Sequence, residues 1–337
     1  MPQRFSFWLA LVALLLLSIG LSLSLGATQL AFVDVLSALG VPVQAAHPQA
    51  QLILEQIRLP RMLLAVVVGS VLAISGVAMQ GLFRNPLADP GLIGVAMGAS
   101  LGAAIAIVGS SFLGNLPVFI APYLLSGCAF LGGLVTVLLV YRIGTKNGQT
   151  QVGTMLLAGI AFTALTGALV GLFSYLADDA QLRTLSFWNL GSLSGASYTR
   201  LIPVIVVGLG VFIWLLTQAQ SLNALLLGES EARHLGIDTQ GLKRKLIFCV
   251  ALATGTVVAA TGLIGFIGLI VPHLMRLVVG SDHRYLLPAS ALVGASLLLL
   301  ADVLARLAMA PAEMPIGIIT ALLGAPFFLY LLIKSRD

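Results

Sequence analysis

Residues Ile57 to Ala103 read IRLPRMLLAVVVGSVLAISGVAMQGLFRNPLADPGLIGVAMGASLGA, two apolar, glycine-studded stretches joined by a polar hinge, Arg84-Asn85-Pro86-Leu87-Ala88-Asp89-Pro90. Two prolines and an Asn would spoil a simple lipid-facing span, because lipid offers no partner to the backbone groups they free. A membrane tolerates such backbone only where it packs against protein or lines a cavity. The stretch therefore predicts a segment beside a pathway rather than an anchor.

Composition agrees about the solvent. Hydrophobic residues make up 59% of the 337 and charged residues 9%, with mean hydropathy +1.08. A soluble domain carries roughly 25% charged residues. This chain cannot cover itself with polar surface, so its solvent is lipid. Its 36 glycines suit helices that pack closely. Cys128 and Cys249 lie in apolar runs and read as small buried hydrophobes rather than a disulfide. The basic residues form no groove-following stripe, so nucleic acid is not an expected partner, and topology explains them better.

Hydropathy predicts an all-α polytopic protein, one transmembrane domain over residues 1–337, with about ten spans. They fall near 7–26, 60–83, 92–110, 117–141, 151–176, 199–217, 244–262, 264–280, 286–309 and 314–333. The first run is long for a signal peptide and reads as a retained helix. With the N-terminus inside, alternation puts 12 of the 17 Lys and Arg on the inner side, Arg4, Arg84 and Lys243 to Lys245 among them. The remaining five, Arg58, Arg61, Arg183, Arg200 and Arg306, fall outside. That bias predicts both termini in the cytoplasm.

Further strings stand out. The inner connector carries Leu227-Gly228-Glu229-Ser230-Glu231-Ala232-Arg233-His234-Leu235-Gly236-Ile237, a short polar helix punctuated by glycine. Taken on its residues alone, it is a solvated connector or a docking element. The string Gly262 to Arg276 places glycines at 262, 265 and 268, predicted along one helix face, before Pro272, predicted to disrupt the span. His273 follows; a lone His there is commonly structural, with ligation or proton relay as the alternative. Last come Ser281-Asp282-His283-Arg284, Asp302 with Arg306, Pro315-Ile316-Gly317 and Gly324-Ala325-Pro326.

No G-x-x-x-x-G-K-[ST], H-E-x-x-H or C-x-x-C occurs. The four histidines are scattered, without metal-ligand spacing. Neither catalytic nor metal-ligating residues are assigned, and the chain is not expected to be an enzyme by itself.

In order and spacing, the hinge and these strings resemble the membrane-spanning subunits of ABC importers for iron–siderophores, haem and cobalamin, along nearly the whole chain. The resemblance implies the ten-helix type II importer fold, in the bacterial inner membrane. It also implies a second copy of the chain, two ATPase subunits that hold ATP and Mg, and a periplasmic substrate-binding protein. No permanently bound cofactor is implied. The segment 221–238 would be the coupling helix, with Gly228, Glu229, Ala232, Leu235 and Gly236 meeting the ATPase. Asn85, Pro86 and Leu87 of both copies would close the cytoplasmic gate, a plain helix link being the alternative. Arg58, Arg61 and Arg306 would receive glutamates of the binding protein. Snorkelling, or an internal pair of Arg306 with Asp302 or Glu313, is the alternative there.

The outer segment Leu182 to Ser197 looks most like haem permeases. It is predicted to form a short helix after the fifth span, with Phe187 and Trp188 at the translocation mouth or in the interfacial aromatic belt. Haem is therefore the expected cargo, with a ferric siderophore and then cobalamin as alternatives. A different class, an ion-coupled secondary transporter, would need an ionisable coupling group within the membrane. Asp302 is the one good candidate, and Arg306 lies four residues on, placed to neutralise it.

Overall fold

The computed structural model describes residues 5–26, 32–38, 41, 43, 49–110, 121–310 and 312–334. Arg4, Arg336, His47 and the start of the span expected from 117 lie outside the described residues. Helix α1 (Phe5–Ser24) and the short α2 (Phe32–Ala38) precede α3 (Ala50–Ile53), which runs through a π-helical turn, Leu54–Arg58, into α4 (Leu59–Phe83). A 3-10 turn at Pro90–Ile93 leads into α5 (Val95–Gly109). Helix α6 (Ala121–Gly144), a hairpin of β1 (Thr145–Lys146) and antiparallel β2 (Gln149–Thr150), and α7 (Val152–Leu176) follow. Then come α8 (Asp179–Asn189), α9 (Tyr198–Thr217), α10 (Ala219–Leu227) and α11 (Glu229–His234). Finally α12 (Thr239–Thr261), α13 (Ile267–Val279), α14 (His283–Leu307) and α15 (Ile316–Lys334) complete the chain.

Among the described residues, seven helical stretches are long and apolar enough to cross a membrane, and α5, α13 and α15 are shorter apolar helices. Together they correspond to the ten expected spans. Helix α12 starts at Thr239 instead of 244 and so carries Lys243 on the helix.

Helix α4 forms the centre. It is apolar all round and buried nearly all round, as a helix enclosed by others must be. Helix α14 runs antiparallel against it. A side-chain carbon on Gly69 would overlap the Gly294 carbonyl, and one on Gly294 would overlap the Gly69 carbonyl, so the two backbones touch. Helix α13 meets α4 by a different route. Pro272 lies inside α13 without ending it, contrary to the expected disruption. Its missing N–H leaves the Gly268 carbonyl without a helical donor. That carbonyl is aimed at Gly76, where any side-chain carbon would collide with it. The expected glycine face is also corrected. Gly262, with φ 70°, and Gly265 fall in the break between α12 and α13, and of the three only Gly268 is helical.

The α4–α14 pair defines two ends of the bundle. Arg61 meets Asp302 at one, and Gly81 meets His283 at the other, beside the hinge. Cys128 and Cys249 are free and half-buried. The least embedded long helix is α7, with buried residues only at Met155, Ala158, Gly159, Thr166 and Val170 among its 25. Its outward side, including Leu157, Ile160, Leu165 and Leu172, is apolar and exposed.

Candidate functional site

At the hinge end, Gly228 breaks α10 from α11 with φ 125° and ψ 157°, a conformation essentially confined to glycine. A Schellman closure ends α11. Ile237 N donates to Ala232 O at 3.1 Å, and Gly236 N, at φ 82°, donates to Arg233 O at 2.9 Å. This geometry sorts the expected docking residues by face. Ala232 is 0% exposed and packs into its own chain, whereas Leu235 is 64% exposed and Gly236 is exposed beside it. Glu231, Arg233 and His234 share the outer surface, and sequence reasoning had not singled them out.

Glu229 turns inward as well. Its carboxylate pairs with the Lys243 ammonium of α12, which is only 2% exposed and also donates to Thr150 O at 3.2 Å. Gln240 completes the cluster. Its Oε1 accepts from Thr150 N at 2.9 Å and its Nε2 lies 3.5 Å from Glu229 Oε2.

The hinge itself is a defined turn. Arg84 caps α4 in the left-handed conformation, φ 48°. Asn85 Oδ1 accepts from Leu87 N at 2.9 Å and Asn85 O from Ala88 N at 3.1 Å, the side-chain-stabilised turn that Asn favours. Asn85 and Pro86 are exposed, and Leu87 is half-buried. Behind them, Gln80 donates to Leu269 O and accepts from Arg276 Nη2, both at 3.2 Å, which pins α13 to α4. Beside this, Asn223 of α10 accepts from the His283 backbone at 2.9 Å and donates to Asp282 Oδ1 at 2.7 Å. The Arg284 guanidinium, hydrogen-bonded to Asp282, holds that carboxyl far below the usual range.

At the opposite end the three expected docking arginines are turned inward. Arg58, Arg61 and Arg306 are 5%, 8% and 7% exposed. Arg61 reaches Asp302 Oδ1 through Nε at 3.0 Å and Nη2 at 2.9 Å, and grips both oxygens of Glu313 at 2.8 and 2.9 Å. Arg306 Nε lies 3.0 Å from Asp302 Oδ2, close enough to pair but not aligned as a hydrogen bond. It also donates to Leu25 O at 2.6 Å and Ser22 O at 3.1 Å, and Arg58 donates to Leu23 O. These contacts match the internal-pair alternative, with Arg61 rather than Arg306 taking Glu313. The exposed arginines near α8 and the start of α9 are Arg183 and Arg200.

The predicted short helix after the fifth span is α8, and a reciprocal capping box between Asp178 and Gln181 starts it. Its two aromatics part company. Phe187 is 50% exposed, with the Arg183 guanidinium 5.7 Å from its ring, while Trp188 packs inward against small α5, α6 and α12 residues. A cavity of about 710 Å³ lies between α6, α9 and α12, lined by Tyr123, Phe130, Arg200, Pro203 and Thr256. Gly195 and Ser197 of the outer segment also line it, whereas Phe187, Trp188 and the hinge residues Asn85, Pro86 and Leu87 do not. Among the described residues no three His, Cys, Asp or Glu side chains cluster as metal ligands do.

Comparison with known proteins places this geometry. The profile of the FecCD transport family matches residues 14–334. The hemin transport system permease protein HmuU of Yersinia pestis is 49% identical over 83% of this chain and 83% of its own length. The vitamin B12 import system permease protein BtuC of Shigella boydii is 40% identical over 99% of this chain and 97% of its own. A metal-chelate type ABC transporter, solved in an inward-facing conformation, superposes with TM-score 0.84 at 36% identity, covering 97% of this chain and 98% of that one. A helical membrane bundle with an exposed turn at its hinge, matched by this family over nearly its whole length, leaves one assignment: the chain belongs to the FecCD transport family, as a multi-pass permease subunit of an ABC importer.

Proposed function

We propose that the chain moves haem across the inner membrane as one of two identical permease subunits. The observation that carries the cargo is the higher identity to a hemin permease than to the cobalamin permeases. The α8 segment, with Phe187 exposed near an arginine, is consistent with a flat apolar anion at the mouth. Cobalamin is the second reading, because permeases of that name match over almost the entire chain.

The hinge end is cytoplasmic in this proposal, in keeping with the Lys and Arg bias, and both termini lie on that side. Separate ATPases, holding ATP and Mg, engage the outer surface of α11 through Leu235 and Gly236, while Gly228, Glu229 and Ala232 set its angle from within. Asn85, Pro86 and Leu87, exposed or half-exposed in one chain, meet their counterparts in the second copy as the gate. A periplasmic binding protein docks at the opposite end. Docking onto Arg58, Arg61 and Arg306 requires them to exchange buried internal partners for the glutamates of that protein. The planar guanidinium suits such carboxylates, because it can present two parallel N–H donors to them. An ion-coupled carrier is disfavoured because two arginines hold Asp302.

The test is reconstitution with the cognate ATPase and binding protein, followed by ATP-dependent uptake of haem, ferric siderophores and cobalamin. Uptake of haem alone supports the proposal. Uptake of cobalamin or a siderophore without haem overturns the cargo, and uptake driven by an ion gradient without ATP overturns the class.

A further inference from the structure

Lys243 is the most deeply buried lysine at the hinge end, and nothing in the importer reading uses it. An ammonium with 2% exposure must be matched by acceptors. Its two acceptors come from different parts of the chain, the Glu229 carboxylate at the start of α11 and the Thr150 carbonyl of the hairpin. Gln240, one turn earlier on α12, repeats the connection by accepting from Thr150 N and approaching Glu229. Both backbone groups of Thr150 are thus held by α12 side chains that also hold Glu229. The hairpin is short and stiff. Thr145 and Thr150 pair across it, Gln151 N bonds to Gly144 O at 2.8 Å, and α7 begins at the next residue, Val152. Met155, 0% exposed, wedges against Gly144. Among the described helices long enough to cross a membrane, α7 is the least buried.

We propose that Lys243 is a positioning residue that latches the coupling helix to the α6–α7 hairpin, so that displacement of α11 is delivered to α7. The proposal rests on the importer reading and adds the route by which motion leaves α11. Charge is needed at the latch, because a neutral side chain would leave Glu229 half-buried without its cation and Thr150 O without this donor. The Gln240 bond to Thr150 N is a side branch that holds the hairpin but carries no ion pair.

The experiment uses the full transporter with its ATPase and binding protein in proteoliposomes. Uptake and ATP hydrolysis are measured for Lys243→Met, Lys243→Arg and Gln240→Leu. Spin labels at Asn147 on the hairpin and Ser281 before α14 report displacement on nucleotide binding, in a background with Cys128 and Cys249 replaced by Ala. Lys243→Met is expected to lower uptake about tenfold while hydrolysis stays within about twofold, an uncoupling rather than a loss. The nucleotide-dependent change in the Asn147–Ser281 distance should vanish with it. Lys243→Arg, which keeps cation and donor, should restore both, and Gln240→Leu should fall between. If Lys243→Met misassembles, the Arg and Gln240 variants still decide through the distance change. The latch is overturned if the hairpin moves as in the parent when Lys243 is Met or Gln240 is Leu, or if uptake and hydrolysis fall in parallel throughout the series. A parent that assembles with no ATPase, or shows no ATP-driven uptake, would instead overturn the importer reading.

Discussion

Replacing Asp302 with Asn removes a carboxylate that is 0% exposed and lies within 3.0 Å of two guanidinium groups. The two cations do not suffer equally. Arg61 keeps Glu313, although that carboxylate is 40% exposed and screened by water, so it compensates little. Arg306 loses its ion pair with Asp302 and keeps the Leu25 and Ser22 carbonyls, which satisfy donors but not charge. Breaking a buried pair from one side costs about 3–5 kcal/mol. The retained partners place this case near the lower end, about 3 kcal/mol. At roughly 2 °C per kcal/mol for a large domain, the melting temperature should fall by about 6 °C. The assay is thermal unfolding of the purified chain in lipid nanodiscs, followed by tryptophan fluorescence. A second variant separates charge from packing. Asp302→Leu with Arg306→Met removes a carboxylate and a cation together and should melt closer to the parent than Asp302→Asn does, because a buried pair replaced by apolar groups is often neutral. A single variant that melts within about 1 °C of the parent would refute the reasoning, as would a double variant less stable than the single.

Ala232→Trp is expected to overpack the chain itself, costing about 1–3 kcal/mol and lowering the yield of folded protein, whereas Leu235→Asp should leave the melting temperature unchanged and weaken ATPase association in a pull-down. Cysteines at Asn85 or Leu87 should crosslink between two copies in one nucleotide state and separate in another, as read on gels; absence of crosslinking in every state removes the gate role. Asp282→Asn keeps an N-cap for α14 but loses the Arg284 ion pair. Because the folded carboxyl lies below its unfolded value of about 3.9, its contribution is present above that pH and lost as pH falls through the folded value, so the variant's acid melting curve should lack that loss.

The spans were legible because each is a long apolar run. Which way a side chain turns was less legible, and the reason is visible in α11. Glu229 and Ala232 are three residues apart and share a face, while Leu235 lies beyond the helix end, where the Schellman closure swings it away. The spacing Gly-Glu-x-x-Ala-x-x-Leu-Gly therefore mixes residues that hold the helix to its own protein with residues that meet water. A motif records both requirements and does not label them. The outer arginines show the same ambiguity. A cation against the positive-inside bias signals a special requirement, but docking a partner and capping the end of α1 through Leu23, Leu25 and Ser22 both meet it. Asp302 alone is not decisive, since a carboxylate four residues before an arginine is common on any helix. The deciding partner, Arg61, is 241 positions away in sequence, where no local pattern can reach it. Lys243 escaped notice for the converse reason. It sits in Lys243-Arg244-Lys245, where two exposed neighbours make the run look like a solvated end, and only the fold distinguishes the buried cation from the pair beside it.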